Sequence, residues 1–374
     1  MTEIYSLFFL EEYLEKQDNL NNLIFKNLDL RSLSRKLINF DIIECIFIGC
    51  KLDKDLFDKL TMSSNYILPS LQLPFELFPR KLYNIEDLYN NFDPDIPRSY
   101  KNSTDYEIYT HFIDHQNKGS LPPFIQVTES IHDSSVRMAL YEYVAKFNNP
   151  KKIIGVMGGH KIRRDDEFYK KVALISKRLT EKDYLMVSGG GPGMMEATHL
   201  GAYFAYYKEQ DLLDAISLLS EAPLYSDEKW LTLSYKVIEK YPPKYRLNSL
   251  SVPTWVHGHE PPNPFPGKIA KFFSAAIRQE VLIEVTKGAI LYSPGSAGTI
   301  REIFQTVEQN HYNLFDNLYP MIFINKEYWT NLLPAYYFFT NEKTKSALNN
   351  LVTFIEDDEN IIEDIILKLT EGLK

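Results

Sequence analysis

Cysteine is nearly missing from this chain: its 374 residues hold only Cys45 and Cys50. Two thiols are too few for a disulfide framework or a thiolate zinc site. Long apolar runs are missing too, and no stretch approaches the ~20 residues of a membrane-spanning helix. A basic surplus is also lacking. Lys and Arg number 41 against 50 Asp and Glu, a formal net charge of -9. Duplex binding wants a basic face, so nucleic acid is not expected as a partner. A phosphate ligand stays open, because local N–H groups and a few cations outweigh distant charge. The first residues carry Glu3, Glu11 and Glu12 where a secretory signal would have a basic start and an apolar core. A cytoplasmic protein without a membrane partner is therefore expected. What is present is the composition of a soluble globular chain, long enough for two domains or one large domain with an extension.

The stretch from Leu291 to Gln305 organises the rest. Gly288–Tyr292 is a short apolar run, read as a buried parallel strand. Ile300, Ile303, Phe304 and Val307 then recur at helical spacing. Between them lies Pro294-Gly-Ser-Ala-Gly-Thr299. A strand, a loop of small residues and a helix start form an anion site, because free N–H groups point outward and the helix dipole favours negative charge. Gly295, Ser296, Ala297, Gly298 and Thr299 are the candidate phosphate-binding residues. Glu302 sits one turn into the helix. A carboxylate beside a phosphate cradle is electrostatically awkward, so it is assigned to the rest of the ligand.

A second junction of this kind precedes it. Lys152–Met157 reads as a strand followed by Gly158 and Gly159, and Phe168, Val172, Ile175 and Leu179 mark a helix. Tyr184–Val187 reads as the next strand. It runs into Ser188-Gly-Gly-Gly-Pro-Gly-Met-Met-Glu-Ala197, with Gly190, Gly191, Gly193, Met194 and Glu196 as candidate nucleotide contacts. Strand, glycine turn and helix, taken twice, make the unit of a doubly wound parallel sheet. The glycines lack the G-x-G-x-x-G spacing of the dinucleotide fingerprint, so an NAD site is a weak reading. The expected fold class is α/β, a Rossmann-like doubly wound parallel sheet with helices on both faces and an N-terminal α+β extension.

The two loops together, Gly189–Ala197 and Pro294-Gly-Ser-Ala-Gly-Thr-Ile-Arg-Glu302, resemble the LOG (Lonely Guy) family, long labelled "lysine decarboxylase-like". They stand in the family's order, about a hundred residues apart. The resemblance covers roughly residues 150 to 345. It implies a Rossmann-like fold and phosphoribohydrolase activity: cleavage of the N-glycosidic bond of a nucleoside 5′-monophosphate to free base and ribose 5-phosphate. It implies that the Pro294–Thr299 loop binds the phosphate, that Glu302 acts on the ribose and the attacking water, and that an Arg on the preceding helix assists. It also implies a homodimer or higher homo-oligomer. No cofactor is implied, and no residue pattern for the pyridoxal lysine of a decarboxylase is visible.

The chain departs from the family in two places. Ser296 stands where the loop pattern P-G-G-x-G-T-x-x-E has its second Gly, and the M-H-x-R-K segment that carries the Arg is missing. Arg278 lies sixteen residues before Pro294 and is assigned that role. These departures support an alternative, a non-catalytic nucleotide sensor that relays occupancy to a partner. A further alternative is another glycosyl reaction, such as cleavage of NAD or transfer of ribose phosphate.

Residues 1–130 are assigned to the extension and 131–374 to the nucleotide-binding domain. Residues 1 to about 22 read as helical. Leu28, Leu33, Ile38, Ile43 and Ile48 then recur every five residues, with Phe40, Cys45 and Cys50 as a second column. This resembles a short piece of a pentapeptide-repeat β-helix; chance or ordinary strands are the alternative. Packing or partner binding is expected there. Prolines gather between Pro69 and Pro123, which favours strands and loops wrapped on a domain. Asp133 reads as the N-cap of a helix carrying Val136, Leu140 and Val144. Lys161, Arg163 and Arg164 form a basic loop that either approaches a phosphate or is solvated. The run His257-Gly-His-Glu-Pro-Pro-Asn263 opens on His-x-His-Glu, which hints at a metal, but zinc needs three or four ligands and no third cluster is visible. Base or ribose contact, or simple loop structure, is the expectation, and no metal site is assigned. A helix over roughly 268–285 would put Lys271 and Arg278 on one face. Strands at Ser251–Val256, Met321–Ile324 and Val352–Ile355, and helices over 328–339 and 361–373, complete the expected chain.

Overall fold

The computed structural model describes residues 2–116, 122–244, 249–257, 260–313, 318–340, 351–356, 364–365 and 367–369. The chain divides into two compact units, Met1–Leu73 and Pro74–Lys374.

In the first unit, strands β1 (Thr2–Ile4), β3 (Leu23–Lys26), β5 (Ile46–Ile48) and β6 (Tyr66–Leu68) form one parallel sheet in that order. Strands β2 (Asn19–Asn21) and β4 (Asp41–Ile43) pair beside it, also parallel. Helices Leu7–Lys16, Ser34–Leu37 and Lys54–Thr61 link successive strands. The unit is thus a short solenoid, in which each repeat buries its apolar face only by stacking on the next.

Its period is not five. Left-handed backbone recurs at Asn22 and Glu44, and again at Asn27 and Gly49, two pairs each 22 residues apart. At each turn the residue donates its N–H to the following coil: Asn22 to Ile43 O, Glu44 to Ser64 O, Asn27 to Ile48 O and Gly49 to Leu68 O. Of the five-residue column, Leu28 and Ile48 are buried while Ile43 is 43% exposed, so it is no single face. The column mixes a loop (Leu28), helical turns (Leu33, Ile38) and strands (Ile43, Ile48), whereas the repeat that stacks is a whole strand–helix unit. The expected opening helix is shorter than the 22 residues read for it, starting only after β1.

The second unit is built on seven parallel strands: β7 (Ile153–Met157), β8 (Leu185–Ser188), β9 (Ser249–Ser251), β10 (Lys268–Ile269), β11 (Ala289–Tyr292), β12 (Met321–Ile324) and β13 (Val352–Ile355). Their spatial order is β10-β9-β8-β7-β11-β12-β13. The chain starts in the middle, winds outward to β10, then returns to the other side of β7. The strand order therefore reverses between β7 and β11, and ligands of such sheets bind beside the carboxyl ends at that point.

Side chains alternate along the strands, and so the sheet has two apolar faces. Ile154, Val156, Met186, Ala289 and Leu291 pack with helices Glu167–Thr180, Met194–Tyr203, Glu209–Leu219 and Trp230–Lys240. Ile153, Met157, Val187, Ile290 and Tyr292 pack with helices Pro123–Val144, Ala275–Glu284 and Ala297–Tyr312. This is the mixed α/β, Rossmann-like architecture with an additional N-terminal region.

Several boundaries differ from the sequence reading. The division falls at Leu73/Pro74 rather than at 130, because residues 74–144 belong to the sheet's own core. Leu82, Tyr89, Val136 and Leu140 are buried in it, and Tyr83 forms a bridge with Ile269. Within the proline-rich segment, Thr104–Gln116 is a regular helix. Asp133 is no N-cap: Pro123 opens that helix, and the Asp133 carboxylate instead accepts from the N–H groups of Phe273 and Ser274 at 2.8 and 2.7 Å. The expected 268–285 helix is split into β10 and the helix Ala275–Glu284, whose N-cap is Ser274. The 251–256 strand stops at Ser251. Tyr328–Leu332 is a π turn followed by helix Ala335–Thr340 rather than one helix. Most of the closing 361–373 helix lies outside the described residues.

Candidate active site

The carboxyl ends of β7, β8 and β11 bring the three glycine loops together. Gly159 donates its N–H to Pro294 O at 3.0 Å, and Met194 donates to Gly159 O at 3.1 Å. Ser293 donates both its N–H and its hydroxyl to Met157 O. The candidate phosphate loop is thus tied to the first strand, and the triple-glycine loop is tied to the turn that follows it. Gly193 takes a left-handed φ of 68°, and a Cβ there would overlap Gly159 O and the His160 backbone. Only glycine allows that contact between the loops.

Ser296 caps the helix Ala297–Tyr312 without using its side chain. Ser296, Ala297 and Gly298 are exposed, Gly295 is half-buried and Thr299 is buried. The first turn of this helix therefore offers N–H groups to the crevice, the arrangement that favours an anion. Tyr328 donates its hydroxyl to Gly295 O and holds the loop from outside.

Glu302 is one turn further on, and only 7% of it is exposed. Its Oε1 accepts from Arg278 Nη1 at 3.4 Å. Arg278 also donates through Nε to Val252 O at 2.5 Å and through Nη2 to Gly189 O at 3.3 Å. One guanidinium thus spans the ends of β8 and β9 and the phosphate-loop helix. Burial pushes the Glu302 carboxyl up to about 7, with Arg278 pulling the other way. Burial likewise lowers the Arg278 pKa, opposed by Glu302. Both charges are poorly hydrated, so the pair is poised to interact strongly with any charge developing beside it.

Other candidates fall elsewhere. Glu196 is fully buried and paired with Arg164 through two contacts, 2.5 and 2.9 Å. Arg164 also donates to Trp230 O and Ser234 Oγ, and stacks over the Trp230 ring at 4.5 Å. Neither residue has a face left for a ligand; they join helices on one side of the sheet. Met194 is core, its Cβ and Cγ beside Gly158. Gly190 and Gly191 are buried, and Gly158 is half-buried against Ser293. Arg163 pairs with Asp165 on the surface, and Lys161 is exposed. Lys271 does not share a helix face with Arg278. It is fully buried and paired with Asp105.

The sequence reading missed the positioning roles of two residues. Asn263 is fully buried, and its amide donates to Gly190 O and Gly191 O at 2.9 and 3.0 Å. Tyr328 is the other. Both act across long sequence separations, and Asn263 has only its place in the run Pro261-Pro-Asn-Pro264 to mark it. Of the His257–Glu260 run, His257 Nδ1 faces Thr254 Oγ1 at 3.2 Å and Glu260 faces His160, while His259 lies outside the described residues. Among the described residues, no group of three His, Cys, Asp or Glu side chains could hold a metal ion. Among them also, no helix is long and apolar enough to cross a membrane.

No curated protein matches this chain. Residues 244–365 match the family described as "Possible lysine decarboxylase". The segment runs from ahead of β9 to beyond β13 and contains Arg278, the Pro294–Thr299 loop and Glu302. Among the described residues the two buried lysines, Lys177 and Lys271, are occupied, by backbone carbonyls with Glu181 and by Asp105 respectively. The match therefore supports kinship of this part of the chain with the lysine-decarboxylase-like, or LOG-like, family, through the segment that carries the buried Glu–Arg pair and the glycine loop.

Proposed function

We propose that the protein hydrolyses the N-glycosidic bond of a nucleoside 5′-monophosphate, releasing free base and ribose 5-phosphate. The observation that carries this reading is the Glu302–Arg278 pair, poorly hydrated and set one helical turn from an uncapped, glycine-lined helix start.

The phosphate is a non-reacting anchor on Ser296–Gly298. Its binding energy holds the ribose against Glu302, which is how remote contacts contribute to rate. N-glycosidic cleavage passes through an oxocarbenium-like state, with positive charge on the sugar ring and electrons leaving with the base. The Glu302 carboxylate stabilises that charge and orients the attacking water. Arg278 lies beside it and stabilises the departing base or the ribose hydroxyls. Nucleosides without phosphate are accordingly much poorer substrates. The protein acts as a homodimer or higher homo-oligomer, as its family resemblance implies.

The test is incubation with each common nucleoside 5′-monophosphate, beside Glu302→Gln, with base and ribose 5-phosphate read by chromatography. Base release that falls at least about a hundredfold in the variant supports the reading. Turnover by the variant within a few-fold of wild type removes Glu302 from the mechanism. Tight nucleotide binding with no base released from any substrate replaces the hydrolase by a sensor.

A further inference from the structure

The crevice holds a third charged side chain that the reaction above does not use. Glu260 is 12% exposed in its side chain, and its Oε1 lies 3.5 Å from His160 Nε2. The backbone that carries it is pinned at several points. Glu260 donates its N–H to His257 O at 2.8 Å, and Tyr89 donates its hydroxyl to Pro262 O at 2.6 Å. Asn263 clamps Gly190 and Gly191 through its side chain and through its own N–H.

Glu260 faces a wall that lacks a side chain. A Cβ at Gly191 would stand 3.8 Å from Glu260 Oε2 and 2.8 Å from Met195 Cε. The Met195 side chain therefore packs over Gly191, and the Glu260 carboxylate stands beside it. The His160 ring meets the half-buried Tyr225 ring edge-on at 6.4 Å. A carboxylate with the Met195 thioether on one side and the His160 and Tyr225 rings on the other suits the edge of a flat heterocycle.

The placement along the crevice is telling. β8 and β11 lie on opposite sides of β7, so the Gly191 wall and the Ser296–Gly298 loop stand on opposite sides of the switch point. Arg278 lies between them, reaching from Glu302, one turn past that loop, to Gly189 O, two residues before Gly191. A 5′-nucleotide has the same sequence of parts: phosphate at one end, the reacting sugar in the middle, the base at the other.

We infer that Glu260, with His160, Met195 and Tyr225, forms the base subsite and selects bases that carry an exocyclic amino group. The inference rests on the nucleotide reading of the site given above. A carboxylate only accepts hydrogen bonds. An amino group donates to it, whereas the keto oxygen at the same ring position of hypoxanthine or uracil would oppose it. A hydrogen bond to a charged group corresponds to about a ten- to hundredfold preference.

The experiment compares nucleotides that differ at this edge, AMP against IMP and CMP against UMP, where the amino-to-keto change also turns the neighbouring ring nitrogen from acceptor to donor. Binding is measured by calorimetry and base release by chromatography, in the wild type and in Glu260→Gln. The amide is isosteric and can turn its own donor toward a keto oxygen. The expected result is at least a tenfold binding preference for the amino member of one pair, reduced to a few-fold or less in Glu260→Gln. Equal binding within both pairs overturns the inference, as does a preference that survives unchanged in the variant. The two readings fail separately. Base release without amino preference leaves the hydrolase standing and removes this subsite. Amino preference in binding without any base release leaves the subsite standing and removes hydrolysis. No binding of any of the four nucleotides overturns both.

Discussion

Burial raises the Glu302 carboxyl to about 7, which puts the ionisation of the candidate catalytic group in the middle of the usual assay range. The proposed chemistry needs the carboxylate, since only the ionised form stabilises an oxocarbenium-like sugar and orients water. The rate should therefore rise with pH. With a pKa of about 7, roughly a tenth of the sites are ionised at pH 6 and about nine-tenths at pH 8. The assay is kcat/KM for the best nucleotide between pH 5.5 and 9, with nucleotide binding measured at the same pH values. The binding control is needed because the substrate's own phosphate titrates with a second pKa near 6. The expected profile climbs about tenfold per pH unit below about 7 and levels off above it. Arg278→Gln removes the attraction that opposes burial and moves the rising limb to higher pH. A wild-type rate that is flat or falling from pH 6 to 8 refutes the assignment of Glu302 as the working carboxylate.

The same shift bears on stability. A carboxyl whose folded pKa is raised from 4.5 binds protons more tightly folded than unfolded. Its contribution is full below about 4.5 and is lost as pH rises through about 7, a difference of about 3 kcal/mol. Gln mimics the protonated form. Glu302→Gln should therefore melt a few degrees above wild type at pH 8 and level with it near pH 4.5.

Three further substitutions separate the site from its scaffold. Gly189→Ala would put a Cβ onto Arg278 Nη2 and Met195 Sδ, the far ends of two side chains, and displace the guanidinium from Gly189 O. Activity should drop at least about tenfold with little change in melting temperature; loss of both would mean that Gly189 is needed for folding. Glu196→Gln leaves the buried Arg164 without its carboxylate and should cost about 3–5 kcal/mol. Tryptophan fluorescence during denaturant unfolding reads this directly, because all three tryptophans, Trp230, Trp255 and Trp329, lie in the second unit. Wild-type stability in that variant would contradict the scaffold role. Tyr328→Phe removes the hydroxyl that holds Gly295 O and should weaken phosphate-bearing ligands a few-fold, seen as a higher KM with kcat little changed. An unchanged KM would show that the loop needs no outer support.

Several parts of this protein could be read from local pattern alone. Met321–Ile324 and Val352–Ile355 are apolar runs of strand length, and they are strands with those bounds. Residues 299 to 307 have helical spacing, and a glycine loop precedes them, so the helix and its start were legible. Such features depend on neighbours a few residues apart, and the sequence prints those side by side.

Whatever depends on distant partners was not legible. Glu196 looks like a ligand contact beside its glycines, but Arg164 on another segment claims it. Asp133 has the composition of a helix start, but Pro123 begins the helix and leaves that carboxylate to anchor Phe273 and Ser274. In the first unit a five-residue rhythm is visible in print. The stacking repeat of 22 residues appears only when left-handed turns from successive coils hydrogen-bond to one another. By itself the sequence determined strands such as Met321–Ile324 and Val352–Ile355 and the places of the glycine loops. The tertiary structure decided which loops meet at the β7/β11 switch point, which charged pairs are buried as scaffold, and that Arg278 reaches Glu302 rather than water. The reason is physical. Local periodicity follows from backbone geometry, whereas burial and pairing depend on which distant segments exclude water from each other.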